Sequence, residues 1–300
     1  MGEAASRIAQ HVRTTPVIEL ERSALGINTP VSLKLEHLQV SGTFKARGAF
    51  NNLLSRDVPG SGVIAASGGN HAAAVAYAAA KLNIAVEIFV PGIASPAKIE
   101  RLQAYGATVN VAGNEYQEAL QACSERQAQT GAMSIHAYDQ LETITGQGTT
   151  AMEWQAQCPH LDTVLIAVGG GGLIAGIAGW WQNEARVIAV ETEHTATLHS
   201  AGGAGGPVDV VVSGVGADAL GARRLGALPY AITSRHVADS ILVTDQAVMA
   251  ARRALWNELR LLVEPAGATS LAALLSGAYQ PRAGEKVGVL LCGANTSLDI

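Results

Sequence analysis

Three hundred residues, 48% hydrophobic and 15% charged, can bury the cores of one large α/β domain or two smaller ones, and they exclude an intrinsically disordered chain. A net charge of −5, with no Lys/Arg-rich block and no aromatic-basic interleaving, argues against a nucleic-acid partner. The three cysteines lack CxxC or ligand spacing, and no basic-then-apolar N-terminus or membrane-length apolar run occurs; no disulfide framework, metal site or membrane contact is expected, and the address is a reducing cytoplasm.

Residues 1–12 pattern as a short amphipathic helix ended by Arg13-Thr14-Thr15-Pro16. Alternation over Val31-Ser32-Leu33-Lys34-Leu35-Glu36 predicts a strand, and residues 44–54 a helix. From Gly62 a βα rhythm begins. Apolar runs at 62–66, 85–90, 107–111 and 132–136 alternate with helical segments at Asn70–Lys81, 95–105 and 115–129. Short strands separated by helices imply a small parallel sheet covered on both faces. A longer helix over 139–157 leads to a second series: a strand at 163–168, a glycine run at 169–172, a helix at 173–182 and a strand at 186–191. Residues 192–206, rich in Gly, Ala, Thr and His, read as a loop. A strand at 240–243, helices at Asp245–Leu259 and 264–275, and a last strand at 286–291 follow. The fold class is α/β, with a larger domain from 1–56 and 140–300 and a smaller inserted βα domain at 57–139.

Four stretches could carry chemistry. Five lysines occur against fifteen arginines, and only Lys45 lies among Ser, Thr and Gly with an aromatic beside it, in Ser41-Gly42-Thr43-Phe44-Lys45-Ala46-Arg47-Gly48-Ala49. The positive end of a helix dipole disfavours a cation there and depresses its pKa, as suits a reactive amine. Ser67-Gly68-Gly69-Asn70-His71-Ala72 offers a hydroxyl, an amide and backbone N–H groups at a helix start, a cradle for a carboxylate. Gly169-Gly170-Gly171-Gly172-Leu173 joins a hydrophobic strand to a helix, where converging N–H groups hold a phosphate without Lys or Arg. Cys292-Gly293-Ala294-Asn295 follows the final strand, where open α/β sheets place ligands. Taken singly, a solvated lysine, an Asn-capped helix, a tight turn and an inert buried thiol would account for these stretches. A nicotinamide dehydrogenase is a further alternative: Gly170-x-Gly172-x-x-Ala175 fits the permissive dinucleotide pattern, and Glu191 stands where a ribose-binding acid would. That reading leaves the Lys45 setting and the Ser67–His71 motif unexplained, whereas a phosphorylated aldehyde cofactor accounts for all four stretches.

In this order, and with Val263-Glu264-Pro265-Ala266-Gly267, the motifs resemble the threonine/serine dehydratases, pyridoxal-phosphate enzymes of the tryptophan-synthase-β-like fold (fold type II), over nearly the whole chain. The resemblance implies pyridoxal 5'-phosphate as cofactor, anchored on Lys45 with Phe44 packed beside the ring. Gly169, Gly170, Gly171, Gly172 and Leu173 would hold its phosphate, Asn70 its ring hydroxyl, and Cys292 would face the pyridine nitrogen. Ser67, Gly68, Asn70 and His71 would receive the substrate carboxylate. The implied reaction is β-elimination from L-threonine or L-serine to a 2-oxo acid and ammonia, with Lys45 removing the α-proton; another β-hydroxy amino acid such as hydroxyaspartate is the alternative substrate. Racemases of this family carry an acid/base serine where Gly68 stands, so racemisation is not expected. Thr195 and Thr197 replace the acid and carbonyl positions that follow Glu191 in cation-binding relatives, so no divalent site is expected. No regulatory segment follows the last strand, so feedback control by isoleucine is not expected. A homodimer is expected from the resemblance alone.

Overall fold

The computed structural model describes residues 1–21 and 23–296. Among them, ten strands form two sheets: β1 (Val17–Leu20), β2 (Val31–Lys34), β3 (Val63–Ala66), β4 (Val86–Val90), β5 (Thr108–Val111), β6 (Met133–Ser134), β7 (Thr163–Ala167), β8 (Arg186–Thr192), β9 (Val237–Val243) and β10 (Val287–Leu290). One sheet has the order β1-β2-β10-β7-β8-β9 and the other β5-β4-β3-β6. Only β1 runs antiparallel to its neighbour. β2, β3, β7 and β10 are buried along their whole length, as parallel strands covered on both faces must be.

Separate apolar cores fill the two faces of the larger sheet. One packs Val289, Leu33 and Leu165 against helices Asp245–Leu259 and Pro265–Leu275. The other packs Val164, Ile166 and Val187 against Leu141–Gln157 and Gly172–Trp181. The alanine-rich helix Asn70–Lys81 lies on the smaller sheet, where short side chains allow close approach. No helix among the described residues is long and apolar enough to cross a membrane.

Several segments depart from the sequence reading. β1 is a four-residue edge strand, too short for its sequence to show alternation. Residues 192–206 are not all loop, because Thr197–Ala204 is helical. The Glu191 carboxylate accepts from Leu198 N and His199 N, both at 2.8 Å, and so satisfies that helix's N-terminus from outside the segment. Helix Ala227–His236 also escapes notice, since its cap comes from Asp139, whose oxygens accept from Ala227 N at 3.0 Å and Leu228 N at 2.9 Å.

Candidate active site

The carboxyl ends of β3, β7 and β10 converge on one cleft lined by Phe44, Lys45, Asn70, Tyr138, residues 167–174, Ala219, Leu220, Glu264, Ala266 and Cys292. Lys45 is the first residue of helix Lys45–Ser55. It is delivered by two successive left-handed residues, Ser41 (φ 62°) and Gly42 (φ 76°), which turn the chain back from the end of β2. That turn is stitched to the end of β10: His37 N donates to Leu291 O at 2.7 Å and Phe44 N to Cys292 O at 3.1 Å. Lys45 Nζ donates to Ala137 O at 2.7 Å and lies 5.2 Å from the centre of the Phe44 ring. Burial depresses its pKa to about 8, within reach of the neutral amine that a nucleophile or base requires.

A buried charge network holds this helix from behind. Arg47 donates Nε and Nη2 to the two oxygens of Glu36 at 2.8 and 2.7 Å and shares Nη2 with Glu153 at 2.8 Å. Lys34 donates to Glu153 and Gln157. Burial alone would raise the Glu36 pKa, but the charge and hydrogen bonds of Arg47 carry it below the ordinary value.

Two helix N-termini open on the cleft without a side-chain cap. Helix Gly172–Trp181 begins after Gly171 and helix Asn70–Lys81 after Gly69. The first N–H groups of each lack intrahelical partners, and the dipole favours an anion there. Glycine is required in the first loop. Gly171 has φ 90°, and a Cβ at Gly170 would lie 2.2 Å from the Tyr138 ring. Thr197 Oγ1 donates to Gly169 O and Gly226 N to Gly170 O, fixing both carbonyls away from the open N–H groups.

The remaining predicted residues divide. Asn70 and Cys292 face the cleft. The Cys292 thiol donates to Ala266 O at 3.5 Å, and burial, with the nearby Glu264 carboxylate, pushes its pKa up, so it stays a neutral thiol. Ser67 and Gly68 are half-buried at the end of β3; Ser67 Oγ accepts from Gly69 N at 3.2 Å. His71 turns inward, with Nε2 2.9 Å from Ile135 O, so only its backbone N–H is left to face a carboxylate. Burial and then the charge of Lys45 bring its pKa to about 3.

A histidine neutral in the fold and protonated below about 6.5 when unfolded contributes stability that is complete above that pH and is lost as pH falls towards the folded value. Compared with His71→Gln, the natural protein should lose about 1.4 kcal/mol per pH unit below about pH 6.5. Urea midpoints for both proteins between pH 7.5 and 5 measure this; parallel curves would contradict it.

Sequence reasoning assigned no role to Tyr138 or Glu264. Tyr138 follows β6 and packs on the glycine loop. Glu264 occupies the N-cap position of Pro265–Leu275 yet makes no cap; its carboxylate accepts from Asn70 Nδ2 at 2.6 Å. Burial raises its pKa to about 7, against the opposing pull of the Asn70 hydrogen bond. An acid immediately before an N1 proline was the one available signal, and it reads as an ordinary cap. Glu191 is removed from the dinucleotide reading: it is fully buried beneath Thr197–Ala204, with its oxygens on that helix's N–H groups.

The profile of the family described as pyridoxal-phosphate dependent enzyme matches residues 8–293. A phenylserine dehydratase of Ralstonia pickettii is 40% identical over 296 residues, covering 97% of this chain and 90% of that protein. An L-threonine ammonia-lyase of Geobacter sulfurreducens is 36% identical, over 97% of this chain and 74% of that protein. The structure of maize serine racemase superposes with a TM-score of 0.92 at 33% identity, covering 99% of this chain and 93% of that one. The cleft fits such a cofactor: an uncapped helix N-terminus behind a glycine loop with no room for a Cβ suits its phosphate, and the Lys45 amine suits its aldehyde.

Proposed function

Because the chain belongs to the pyridoxal-phosphate-dependent enzyme family, we propose that it eliminates water from a β-hydroxy amino acid, L-threonine or L-serine, and releases a 2-oxo acid and ammonia. The observation that carries this reading is the Lys45 amine, depressed to about 8, held between two uncapped helix N-termini. Bound pyridoxal phosphate supplies an electron sink for the substrate α-carbon.

The chain's own residues do the rest. Lys45 anchors the cofactor and moves the α-proton, since it is the only cation among the described residues lining the cleft. Gly169 to Gly172 and Leu173 would hold the phosphate through N–H groups, and Phe44 would stand on the side of the ring. Backbone N–H groups at the start of Asn70–Lys81, with Ser67, orient the substrate carboxylate, and the Asn70 side-chain amide holds the cofactor's ring hydroxyl. The neutral Cys292 thiol is too weak an acid to keep a pyridine nitrogen protonated, which favours elimination over prolonged carbanion chemistry. Gly68 has no proton to offer on its side of the cleft, which favours elimination over racemisation.

A second reading concerns the substrate side chain. Ala219, Leu220 and Ala266 give the cleft an apolar wall, and a relative 40% identical is a phenylserine dehydratase, so an aromatic β-hydroxy amino acid is the rival. Hydroxyaspartate is less favoured, because its second carboxylate would find no cation besides Lys45 among the described lining residues.

Ammonia release from L-serine, L-threonine, L-threo-3-phenylserine and 3-hydroxyaspartate separates these readings. The highest kcat/KM is expected for threonine or serine. A preference of tenfold or more for phenylserine, about 1.4 kcal/mol in transition-state binding, would replace the primary reading with the aromatic one.

A further inference from the structure

Asn70 is held at both ends of its amide. Nδ2 donates to Glu264 Oε1 at 2.6 Å, and Oδ1 accepts from Asn295 Nδ2 at 2.5 Å. Asn295 Oδ1 in turn accepts from Arg101 Nη1 at 2.6 Å. The chain Arg101–Asn295–Asn70–Glu264 therefore starts on a cation, ends on a carboxyl group and passes through two amides aligned head to tail. It also alternates between the sheets. Arg101 lies in helix Pro96–Ala104, between β4 and β5, and Asn295 follows β10. Asn70 opens the helix after β3, and Glu264 precedes Pro265–Leu275 on the larger sheet.

Arg101 makes a second contact that ties this chain to the lysine loop. Its Nη2 donates at 2.9 Å to the carbonyl of Ser41, one of the two left-handed residues that deliver Lys45. Gly42 leaves the passage open, for a Cβ there would lie 2.6 Å from Asn295 Oδ1.

An amide is nearly the same shape when turned over, so its partners alone decide which end presents N–H groups. We propose that Arg101 and Glu264 are positioning residues that, with Asn295 between them, fix the Asn70 amide with its second Nδ2 hydrogen available to pyridoxal phosphate, and make that orientation depend on the approach of the two sheets. The proposal rests on the reading of Asn70 as a cofactor contact. It is independent of which amino acid is the substrate.

The test uses no substrate. Apoprotein is titrated with pyridoxal phosphate, and the dissociation constant and visible absorption maximum are measured for the natural protein, Asn70→Ala, Arg101→Ala and the double variant. Asn70→Ala and Arg101→Ala should each weaken cofactor binding about tenfold, the size of one lost charge-assisted hydrogen bond, and shift the band in the same direction. The loss in the double variant should fall clearly short of the sum of the two single losses, because the arginine acts on the cofactor mainly through Asn70 and only secondarily through Ser41 O. Arg101→Lys, which keeps one donor, should recover part of the loss.

If Asn70→Ala changes neither quantity, the cofactor-contact reading fails and the proposal with it. If Asn70→Ala has its effect but Arg101→Ala has none, or the two losses add, the relay alone is overturned. Should Arg101→Ala not fold, Asn295→Asp tests the same link, since it keeps an acceptor for Arg101 but turns the donor facing Asn70 Oδ1 into an acceptor. An unchanged constant and band in that variant would also overturn the relay.

Discussion

Changing Lys45 to alanine should lower 2-oxo acid release from the preferred substrate by about a thousandfold or more, the loss expected when a positioned base and covalent anchor are removed together. The fold should survive, because among the described residues the amine makes a single hydrogen bond, to Ala137 O, and the buried ion pairs of the helix involve Arg47. Pyridoxal phosphate should still be held through the glycine loop, but a visible band that borohydride bleaches should be gone. Lys45→Arg should be as inactive as alanine, since a guanidinium keeps its proton at any working pH. Single-turnover assays under saturating cofactor would decide the matter: more than one-tenth of natural activity in either variant would refute the assignment of Lys45 as the proton-transfer group.

The largest effect on stability should come from Arg47→Met. Arg47 is 2% exposed and Glu36 fully buried, with a bidentate pair between them. Removing the guanidinium leaves a buried carboxylate without its charge partner, which costs about 3–5 kcal/mol. Chemical denaturation at neutral pH measures this loss. The deficit should shrink as pH falls, because protonating Glu36 removes the unpaired charge; in the natural protein, by contrast, the depressed Glu36 pKa makes stability fall as pH drops through the carboxylate range. Replacing Glu36 as well, in Glu36→Leu/Arg47→Met, should recover much of the loss. A deficit below 1 kcal/mol in the single variant would show that the network contributes little.

Much of this architecture is legible in the chain itself. Hydrophobic runs separated by helical segments predict a small parallel sheet and a second βα series, and all strands but the short β1 lie within a few residues of their expected places. The four candidate stretches are legible for a related reason: three open a helix and the fourth follows β10, and in each the glycines and small polar residues are adjacent in sequence. Local backbone chemistry, read over five to ten residues, suffices for such features.

Tertiary structure decides where the side chains point. His71 belongs to a motif that suggests a carboxylate ligand, yet packing turns its imidazole to Ile135 O. Glu264 stands at a cap position, yet its carboxylate reaches Asn70, 194 positions away. Arg101 is one basic residue on a helix until the same separation brings it to Asn295. Glu191 could have held a ribose, and helix Thr197–Ala204 takes both its oxygens. By itself, the sequence marked a candidate amine, two candidate anion cradles and a thiol at strand C-termini or helix N-termini, because turn chemistry is local. Which polar groups complete one another across the cleft was decided only when the two sheets met, because a buried donor takes the acceptor that packing brings to it, however distant in the chain.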